Sequence, residues 1–598
     1  MAGGSSCAEP GGGRPGARVG LLLAGSLCLL PFLIPYHQPP LLSFHAEWLA
    51  GALGVAAALA FLAGRGARSQ AALPGPALWL LAFAAYLLLR AAFGDPAYPQ
   101  AALLGAAYVL LAVLLVQLGA QLASVHGVER VAAVLAASIL AGALANAAAG
   151  VLQSYGRPAL LEDFIAELRG TRAYGNIAQV NLYAHYLALG QAALILLWPQ
   201  RRPRQVLAVV ALILLALGSA LSGSRSALLY AGWFAVLATL VPIPQRRAAY
   251  VVAGTVALAH VALPWIETGL GLGPAGAGTL ERMMGAPGEP AAPRWAIYGV
   301  ALKVFAAAPF LGAGWGEFAG AAFAQGLAPS LTQVGEVWTS PHNLPLHLLA
   351  ESGVPGAILV LGALWFWATP LAHRLRERAS PALWWMTAAV GVTLLHSLIE
   401  FPLWNAHFLG VAALLLGASA QSPAGRRGAR VGAIAAGALL ALVLGSTLRD
   451  YVRLDTTRVT GTTVTMAHPA QAARDARTMH ELTGGLLGPV AELWIVLGAP
   501  LDREQLSQKL AMSERVSRYW PAHAVIVRRA AWLALAGQAQ SADGLLQQAL
   551  AAFPHRRADT RRLLERASEV DPEAIRPLLA ASRNAEAGER GRAARGGG

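Results

Sequence analysis

Apolar runs of about twenty residues recur along the chain from residue 19 to residue 448, with short polar segments between them. A helix of roughly this length crosses a hydrocarbon core of about 30 Å. The pattern therefore predicts an all-α, polytopic membrane protein with about thirteen transmembrane helices. The predicted spans are 19–36, 46–64, 76–93, 101–123, 128–152, 176–198, 205–222, 226–241, 248–265, 343–371, 381–400, 404–420 and 431–448.

Arginine residues concentrate in every second loop between these spans. The loops at 37–45 and 401–403, which belong to the other set, contain none. Because arginine-rich loops stay in the cytoplasm, the N-terminus is predicted to lie inside and everything after residue 448 outside. The predicted organisation is a cytoplasmic tail at 1–18, a transmembrane domain at 19–448 with a long outer loop at 266–341, an outer helical domain at 449–586 and a disordered tail at 587–598.

The composition supports a membrane protein and argues against other classes. Hydrophobic residues make up 56% of the chain and charged residues 13%, whereas a soluble domain has roughly 25% charged residues. The formal charge of +14 comes from arginines scattered over short loops and the C-terminal region, so no nucleic-acid partner is predicted. The two cysteines, Cys7 and Cys28, are too few for a disulfide framework or a metal site.

Both outer segments are predicted to contain helices. In the outer loop, a helix from Pro293 to about Ala308 would direct an apolar face towards lipid or the membrane domain. That face comprises Trp295, Ile297, Val300, Ala301 and Val304. In the C-terminal region, residues 530–554 predict two short helices around a turn, which suit either a tetratricopeptide-like unit or a plain helical bundle.

The most informative polar cluster is TSPHNLPLHLLAESGVPG, at the outer start of the tenth span. Either Ser340 or Asn343 can cap this helix, and in both cases His342 stands at its N-terminus. The positive end of the helix dipole disfavours imidazolium there. A neutral His342 is therefore a candidate general base, and the alternative is an ordinary capping residue.

Two further clusters carry polar residues into spans, where their burial is costly and marks candidate functional positions. In SGSRSALLY, Arg225 opposes the dipole at the outer start of the eighth span. It is a candidate phosphate ligand or a snorkelling arginine. In RAYGNIAQVNLYAHY, the amides of Asn176 and Gln179 suit a ligand-lined cavity or interhelical hydrogen bonds, and Arg172 lies just outside the span.

Glu400 in HSLIEFPLWNAH and Arg294 in the outer loop add a carboxylate and another cation on the outer side. The sequence contains no nucleotide-binding loop and no Asp-rich metal motif. Chemistry outside the cytoplasm therefore needs a donor that carries its own activated bond, and a lipid-linked diphosphate sugar is such a donor. Arginines would hold the diphosphate, and a neutral histidine would deprotonate an acceptor hydroxyl.

The order SxSR, then RW in the outer loop, then PHN at the start of a long span resembles the O-antigen ligase and polymerase superfamily. The R-x-x-x-L pattern of that superfamily is met by Arg225 and Leu229, and its H-(x)10-G pattern by His342 and Gly353. GNIAQVN and HSLIEFPLW resemble the branch of bacterial protein O-oligosaccharyltransferases (PglL or PilO type), whose members carry a C-terminal extension. The resemblance extends from about residue 170 to about residue 560.

This resemblance implies transfer of a whole glycan from undecaprenyl diphosphate to a hydroxyl at the periplasmic face of the bacterial inner membrane, with no metal or other cofactor. It implies His342 as the catalytic base, Arg225 and Arg294 as diphosphate ligands, and Arg172 as a further candidate ligand. Candidates for substrate contact or support are Asn176, Gln179, Asn343, Glu351 and Glu400. In one departure, His347, which can pair with Glu351, stands where many relatives have Gln.

The implied acceptor is a Ser or Thr hydroxyl of an exported protein such as a pilin, because the outer C-terminal domain offers a polypeptide a docking surface. Two alternatives use the same chemistry: an O-antigen ligase, which acts on the lipid A core of lipopolysaccharide, and an O-antigen polymerase. A third, from another class, is a transporter of lipid-linked sugar. Transporters tend to have broken helices at matching positions of repeated halves, and the sequence shows no such pairing.

Overall fold

A computed structural model describes residues 15–64, 73–272, 294–326, 338–420, 427–463 and 469–595. Within these ranges every regular element is a helix, which confirms the predicted all-α fold. Parts of the predicted tail at 1–18 and of the outer loop at 266–341 lie outside the described residues. The α-helices are α1 (Pro15–Leu27), α2 (Phe44–Ala63), α3 (Gly75–Phe93), α4 (Pro99–His126), α5 (Val128–Tyr155), α6 (Val180–Leu196), α7 (Arg202–Leu221), α8 (Ser226–Leu240), α9 (Arg246–Gly269), α10 (Arg294–Ala307), α11 (Phe318–Ala324), α12 (Leu344–Glu377), α13 (Pro381–Ser397), α14 (Ala406–Ser419), α15 (Arg427–Thr463), α16 (Pro469–Leu482), α17 (Gly488–Gly498), α18 (Leu506–Tyr519), α19 (His523–Leu535), α20 (Ala539–Ala552), α21 (Arg557–Ser568) and α22 (Pro572–Arg595).

The helices confirm a polytopic membrane protein. Nine helical segments in the described part of the chain are long and apolar enough to cross a membrane, when α1 and the 3₁₀ turn Leu30–Leu33 after it are counted as one segment. Four other predicted spans correspond to the shorter helices α6, α8, α13 and α14, of 14 to 17 residues, whereas a crossing takes roughly 20. Each of the four has one end at the irregular segments 172–179, 222–225 and 398–405, which lie at the same end of the bundle. Irregular backbone is tolerated inside a membrane protein where it lines a cavity.

Small residues let the central helices pack with their backbones in contact. A Cβ atom added at Gly119 of α4 would lie 2.2 Å from the carbonyl oxygen of Leu414, and one at Gly417 of α14 would lie 2.0 Å from that of Val116. Helices in membranes approach closely at such small residues, because hydrophobic burial does not drive helices together within lipid. This contact fixes α14, and the segment before it, against α4.

Arginine-rich segments meet at the bundle end that is remote from these irregular segments. Arg374, near the end of α12, donates to the carbonyl of Ser419 at 2.6 Å, and Arg430, near the start of α15, donates to that of Leu62 at 3.2 Å. These contacts bring together helix ends that the charge pattern assigns to one side. The polar segments that carry the candidate residues therefore lie at the other end.

The helices of the two segments that the sequence assigns to the outer side lie close to their predicted positions. Helix α10 differs from the predicted helix by one residue at each end, and Ile297 and Val300 are buried as expected, whereas Trp295 is 72% exposed. Helix α15 continues without a break past the predicted domain boundary at 448. The predicted pair at 530–554 corresponds to parts of α19 and α20. Helix α22 extends to residue 595, whereas the sequence predicts a disordered tail from 587.

Candidate active site

His342 stands directly before α12 in an unusual backbone conformation. The side chain of Asn343 accepts a hydrogen bond from the amide of Leu346 at 3.1 Å, so Asn343, rather than Ser340, is the N-cap. The φ angle of His342 is +53°, which is uncommon for a residue other than glycine. The amide of His342 donates to Ser340 Oγ at 3.1 Å, and this bond helps to hold the conformation.

The imidazole of His342 is paired with a buried carboxylate. Its Nδ1 lies 2.8 Å from Glu400 Oε2, and the two side chains are 19% and 7% exposed. Glu400 Oε1 accepts a hydrogen bond from Asn181 Nδ2 at 2.8 Å and lies 3.4 Å from Arg294 Nη2. Donors around a carboxylate favour its charged form. A charged Glu400 only accepts hydrogen bonds, so Nδ1 of His342 carries a proton, and Nε2 is the nitrogen that holds the lone pair when the ring is neutral.

The segment after α13 is the point where several elements meet. The predicted span 381–400 is too long, because α13 ends at Ser397 and Glu400 lies in the following loop. The carbonyl of Leu398 in this loop accepts hydrogen bonds from Tyr298 of α10 at 3.2 Å and from Asn343 at 3.3 Å. The loop therefore fixes α10, α12 and Glu400 relative to one another.

Arg225 occupies the N-cap position of α8 and is exposed. Among the described residues its side chain has no hydrogen bond or ion pair. The preceding residue connects it to the site, because Ser224 Oγ donates to Asn181 Oδ1 at 2.9 Å, and Asn181 in turn donates to Glu400. Arg225 is thus an exposed cation in a segment that a short hydrogen-bond chain joins to Glu400.

The candidates before α6 have structural contacts. The predicted span 176–198 begins as an α-helix only at Val180, because Gln179 caps the helix by accepting from an amide in its first turn at 2.5 Å. Asn176 donates to the carbonyls of Leu33 and Phe164 at 3.0 and 2.8 Å. The Asn176 side chain therefore holds this segment to its neighbours.

Arg172 joins the same region to the start of α8. Its Nε donates to the carbonyl of Ser222 at 2.7 Å. Ser222 is the first residue of the segment that leads to Arg225. The structure thus places Arg172 beside the Arg225 segment.

Glu351 has its carboxylate occupied by backbone amides. Its two oxygens accept from Gly316 at 3.0 Å and from Phe318 at 3.1 Å. His347 Nε2 lies 3.2 Å from Glu351 Oε1, although the geometry is not that of a hydrogen bond. The His347 ring also stacks on Trp404, with 4.4 Å between the ring centroids. Glu351 is therefore placed to support the loop before α11.

Two cavities lie beside the residues around His342 and Glu400. One, of about 450 Å³, includes the polar residues Arg169, Gln179 and Glu400 in its lining. The other, of about 410 Å³, is mostly apolar and extends between α3, α4, α12 and α14 as far as Ser340. Phe401 borders both cavities, and its ring meets that of His342 edge-on, with 5.2 Å between centroids.

The sequence does not single out every residue of the site. Asn181 and Ser224 lie inside the polar clusters already noted, yet no spacing indicates that they form a chain to Glu400. Phe401 follows Glu400 directly and has the character of an ordinary apolar residue. Asn181 is one of the amides that make the third cluster polar, whereas Ser224 and Phe401 are indicated only by their position next to a candidate. The sequence does not indicate the contacts themselves, because they join distant parts of the chain.

Two family models match the chain. Residues 210–361 match a model described as O-antigen ligase, and residues 384–567 match one described as virulence factor membrane-bound polymerase, C-terminal. The two matches support membership of the O-antigen ligase and polymerase superfamily. No curated protein matches the chain.

These two matches suggest a multi-pass membrane enzyme that transfers glycosyl groups. The ligase match contains Arg225, Arg294 and His342, and the polymerase match contains Glu400. The contact between His342 and Glu400 therefore joins the two matched regions at one point.

Proposed function

We propose that the protein transfers a preassembled glycan from undecaprenyl diphosphate to a Ser or Thr hydroxyl of exported proteins such as pilins, at the periplasmic face of the bacterial inner membrane. The observation that carries this proposal is the 2.8 Å contact between His342 Nδ1 and Glu400 Oε2. A carboxylate that orients a neutral imidazole leaves its second nitrogen ready to accept a proton.

In this reaction His342 Nε2 takes the proton of the acceptor hydroxyl. The hydroxyl oxygen forms a bond to the anomeric carbon of the first sugar, and the bond from that carbon to the diphosphate oxygen breaks. Undecaprenyl diphosphate leaves with the bonding electron pair. Glu400 stabilises the imidazolium, which then loses its proton to solvent or to the leaving group.

Arg225 and Arg294 are the proposed ligands of the diphosphate. Arg225 is exposed, and the side chain of Arg294 is 39% exposed, so both cations are accessible to an anionic donor. Guanidinium groups match phosphate oxygens in geometry and charge, and they would stabilise the negative charge that develops on the leaving group. The apolar cavity beside Ser340 suits the isoprenoid part of such a donor.

A sugar acceptor is the alternative, because the matched descriptions name a ligase and a polymerase. Transfer to the lipid A core or to a second lipid-linked glycan would use the same base and the same diphosphate ligands. The helical domain after α15 supports a protein acceptor, since it provides surface on which a polypeptide can dock.

The test is glycan transfer by purified protein from a lipid-linked oligosaccharide to three acceptors offered separately: a pilin-like protein, lipid A core and a second lipid-linked glycan. We expect product on the protein acceptor, and transfer in the presence of EDTA. His342→Ala should reduce transfer by about 10²- to 10⁴-fold, the usual contribution of a general base. His373→Ala is the matched control, because His373 is exposed and pairs with Glu377 in the last turns of α12.

Transfer to lipid A core but not to protein would indicate a ligase, and transfer to the second glycan but not to protein would indicate a polymerase. Equal activity of His342→Ala and His373→Ala would remove His342 from the chemical step. No product with any of the three acceptors would contradict the proposed reaction.

A further inference from the structure

Arg518 of the C-terminal domain forms a salt bridge with the loop before α11. Arg518 Nη2 lies 3.1 Å from Glu317 Oε2, and the same nitrogen donates to the carbonyl of Asp95 at 2.6 Å. Glu317 is 7% exposed, and its other oxygen accepts from the amide of Ala97 at 2.5 Å. Charge-assisted hydrogen bonds to a buried carboxylate are among the stronger contacts in proteins, so this is a specific contact between the two domains.

The interface around Arg518 is closely packed. A Cβ atom added at Gly320 of α11 would lie 2.1 Å from the carbonyl oxygen of Arg518, so the two backbones touch. The next residues, Tyr519 and Trp520, line the apolar cavity that reaches Ser340. The C-terminal domain therefore forms part of the wall beside the candidate active site.

From Glu317 the contacts continue into α12. The amides of Gly316 and Phe318, on either side of Glu317, donate to the two oxygens of Glu351 at 3.0 and 3.1 Å. Beyond Glu351 the series passes to His347, whose Nε2 lies 3.2 Å from Glu351 Oε1. Arg518 and Glu351 therefore contact the same loop, the one before α11.

Ser340 completes the series at His342. Its hydroxyl contacts His347 Nδ1 at 3.2 Å and accepts from the amide of His342 at 3.1 Å. The positive φ angle of His342 depends on such surroundings, because a left-handed conformation is unfavourable for histidine and persists where neighbouring contacts hold it.

We propose that docking of the C-terminal domain through Arg518 and Glu317 sets the position of His342. In this scheme the C-terminal domain supports the active site, in addition to offering a surface on which an acceptor can dock. The other positioning residues are Glu351, His347 and Ser340. The consequence for catalysis rests on the proposed function, whereas the consequence for the order of the His342 segment does not.

The experiment compares full-length Arg518→Ala with wild type and with Arg503→Ala. Arg503 forms a salt bridge with Asp571 at 2.6 Å inside the C-terminal domain, so it is the matched control. Tyr98 donates to Glu492 at 2.6 Å across the domain interface. This second contact should keep the domain attached when the Arg518 side chain is removed.

Two quantities are measured for each variant. The first is amide hydrogen exchange of residues 313–318 and 340–347, which Arg518→Ala should accelerate by about tenfold. The second is transfer kinetics, in which kcat should fall by about 10- to 100-fold, because a small misplacement of a catalytic group has an effect of this size. The KM for the lipid-linked donor should stay within about threefold.

Glu317→Gln, which keeps the shape of the side chain, should show the same changes to a smaller extent, and Arg503→Ala should behave as wild type. Unchanged exchange at 340–347 in Arg518→Ala would overturn the proposal, and so would faster exchange with an unchanged kcat. If wild-type protein transferred glycan to none of the acceptors, the proposed function would fail on its own. The exchange measurement would then still decide whether the domain orders the His342 segment.

Discussion

Glu400 accepts hydrogen bonds from Asn181 and His342 and lies beside Arg294, so one carboxylate connects three parts of the candidate site. Its negative charge fixes which nitrogen of His342 is protonated, and it would stabilise the imidazolium formed when the acceptor loses its proton. The guanidinium of Arg294 partly neutralises this charge. His342 therefore lies beside both a carboxylate and, through it, a cation that is also accessible to the donor.

Glu400→Gln tests the role of this charge. The amide keeps the shape of the side chain and removes its charge, so kcat should fall by about 10²-fold or more while the donor KM changes little. Glu267→Gln is a suitable control, because Glu267 is also buried and accepts from Tyr155 at 2.7 Å. Steady-state transfer kinetics measure both variants. Equal activity of the two would exclude a part for the charge of Glu400.

At the scale of elements, helix α12 is interrupted at Gly353. The φ and ψ angles of this residue are 63° and −169°, a combination that is essentially restricted to glycine. A Cβ atom at Gly353 would lie 2.4 Å from the carbonyl oxygen of Phe310, in the loop that leads to Glu317. The glycine of the H-(x)10-G pattern therefore has a physical reason, because the loop packs against the helix backbone at this break.

Gly353→Ala should destabilise the protein by about 1–3 kcal/mol for its conformation, with the steric clash added to this. It should also impair transfer, because the displaced loop supports the start of α12. Gly254→Ala in α9 is the control, since no atom lies within 4 Å of its added Cβ. Thermal unfolding in detergent measures both. Equal stability of the two variants would show that the close approach at Gly353 is not required.

Helix α19 begins with a buried histidine that should make the C-terminal domain sensitive to acid. Burial lowers the pKa of His523 from its usual 6.5 to about 4, and its Nε2 contacts Thr560 Oγ1 at 2.8 Å. The unfolded state binds the proton more readily, so the neutral histidine stabilises the domain above about pH 6.5. This stabilisation is lost as the pH falls from about 6.5 to about 4.

Amide exchange of the C-terminal helices in full-length protein, corrected for its intrinsic pH dependence, should therefore accelerate over this range. His523→Gln keeps a polar group near Thr560 and removes the titration, so the variant should show a weaker dependence. An identical dependence in wild type and His523→Gln would assign the acid sensitivity to other groups.

At the scale of the whole molecule, the candidate site lies at one end of the bundle and the arginine-rich helix ends at the other. The C-terminal domain follows α15 to the site end and contacts the loops there. If positively charged segments face the cytoplasm, the site and the domain face the periplasm. That orientation gives both an exported protein and a lipid-linked glycan access to His342.

Cysteine labelling tests this orientation. The variants are made in a Cys7→Ser background, in which the remaining cysteine, Cys28, is buried. One variant is Ser541→Cys in α20 and the other is Ala379→Cys between α12 and α13, and both positions are exposed. A membrane-impermeant maleimide should label Ser541→Cys in cells with a permeabilised outer membrane, and Ala379→Cys only after lysis. Labelling in the reverse order would invert the topology.

The sequence alone determined the class of this protein and the approximate place of its helices. Apolar periodicity and the alternation of arginines are local properties, and local properties decide whether a segment can cross a membrane. His342, Arg225 and Arg294 are candidates because of their residue types and neighbours, and the family resemblance supplies the roles that are proposed for them. The sequence left two candidates for the N-cap of α12, Ser340 and Asn343. The backbone conformation decides between them in favour of Asn343.

Tertiary structure alone decided which residues lie together. Glu400 is 58 residues from His342 and 106 from Arg294 along the chain, and Arg518 is 201 residues from Glu317. Such pairings depend on how helices pack, which no local pattern encodes. The structure also distinguishes Asn176, whose side chain donates to backbone carbonyls, from Asn181, whose side chain donates to Glu400. Both amides lie in one polar cluster, but Asn176 precedes α6 and Asn181 lies in its first turn, so their side chains contact different parts of the protein.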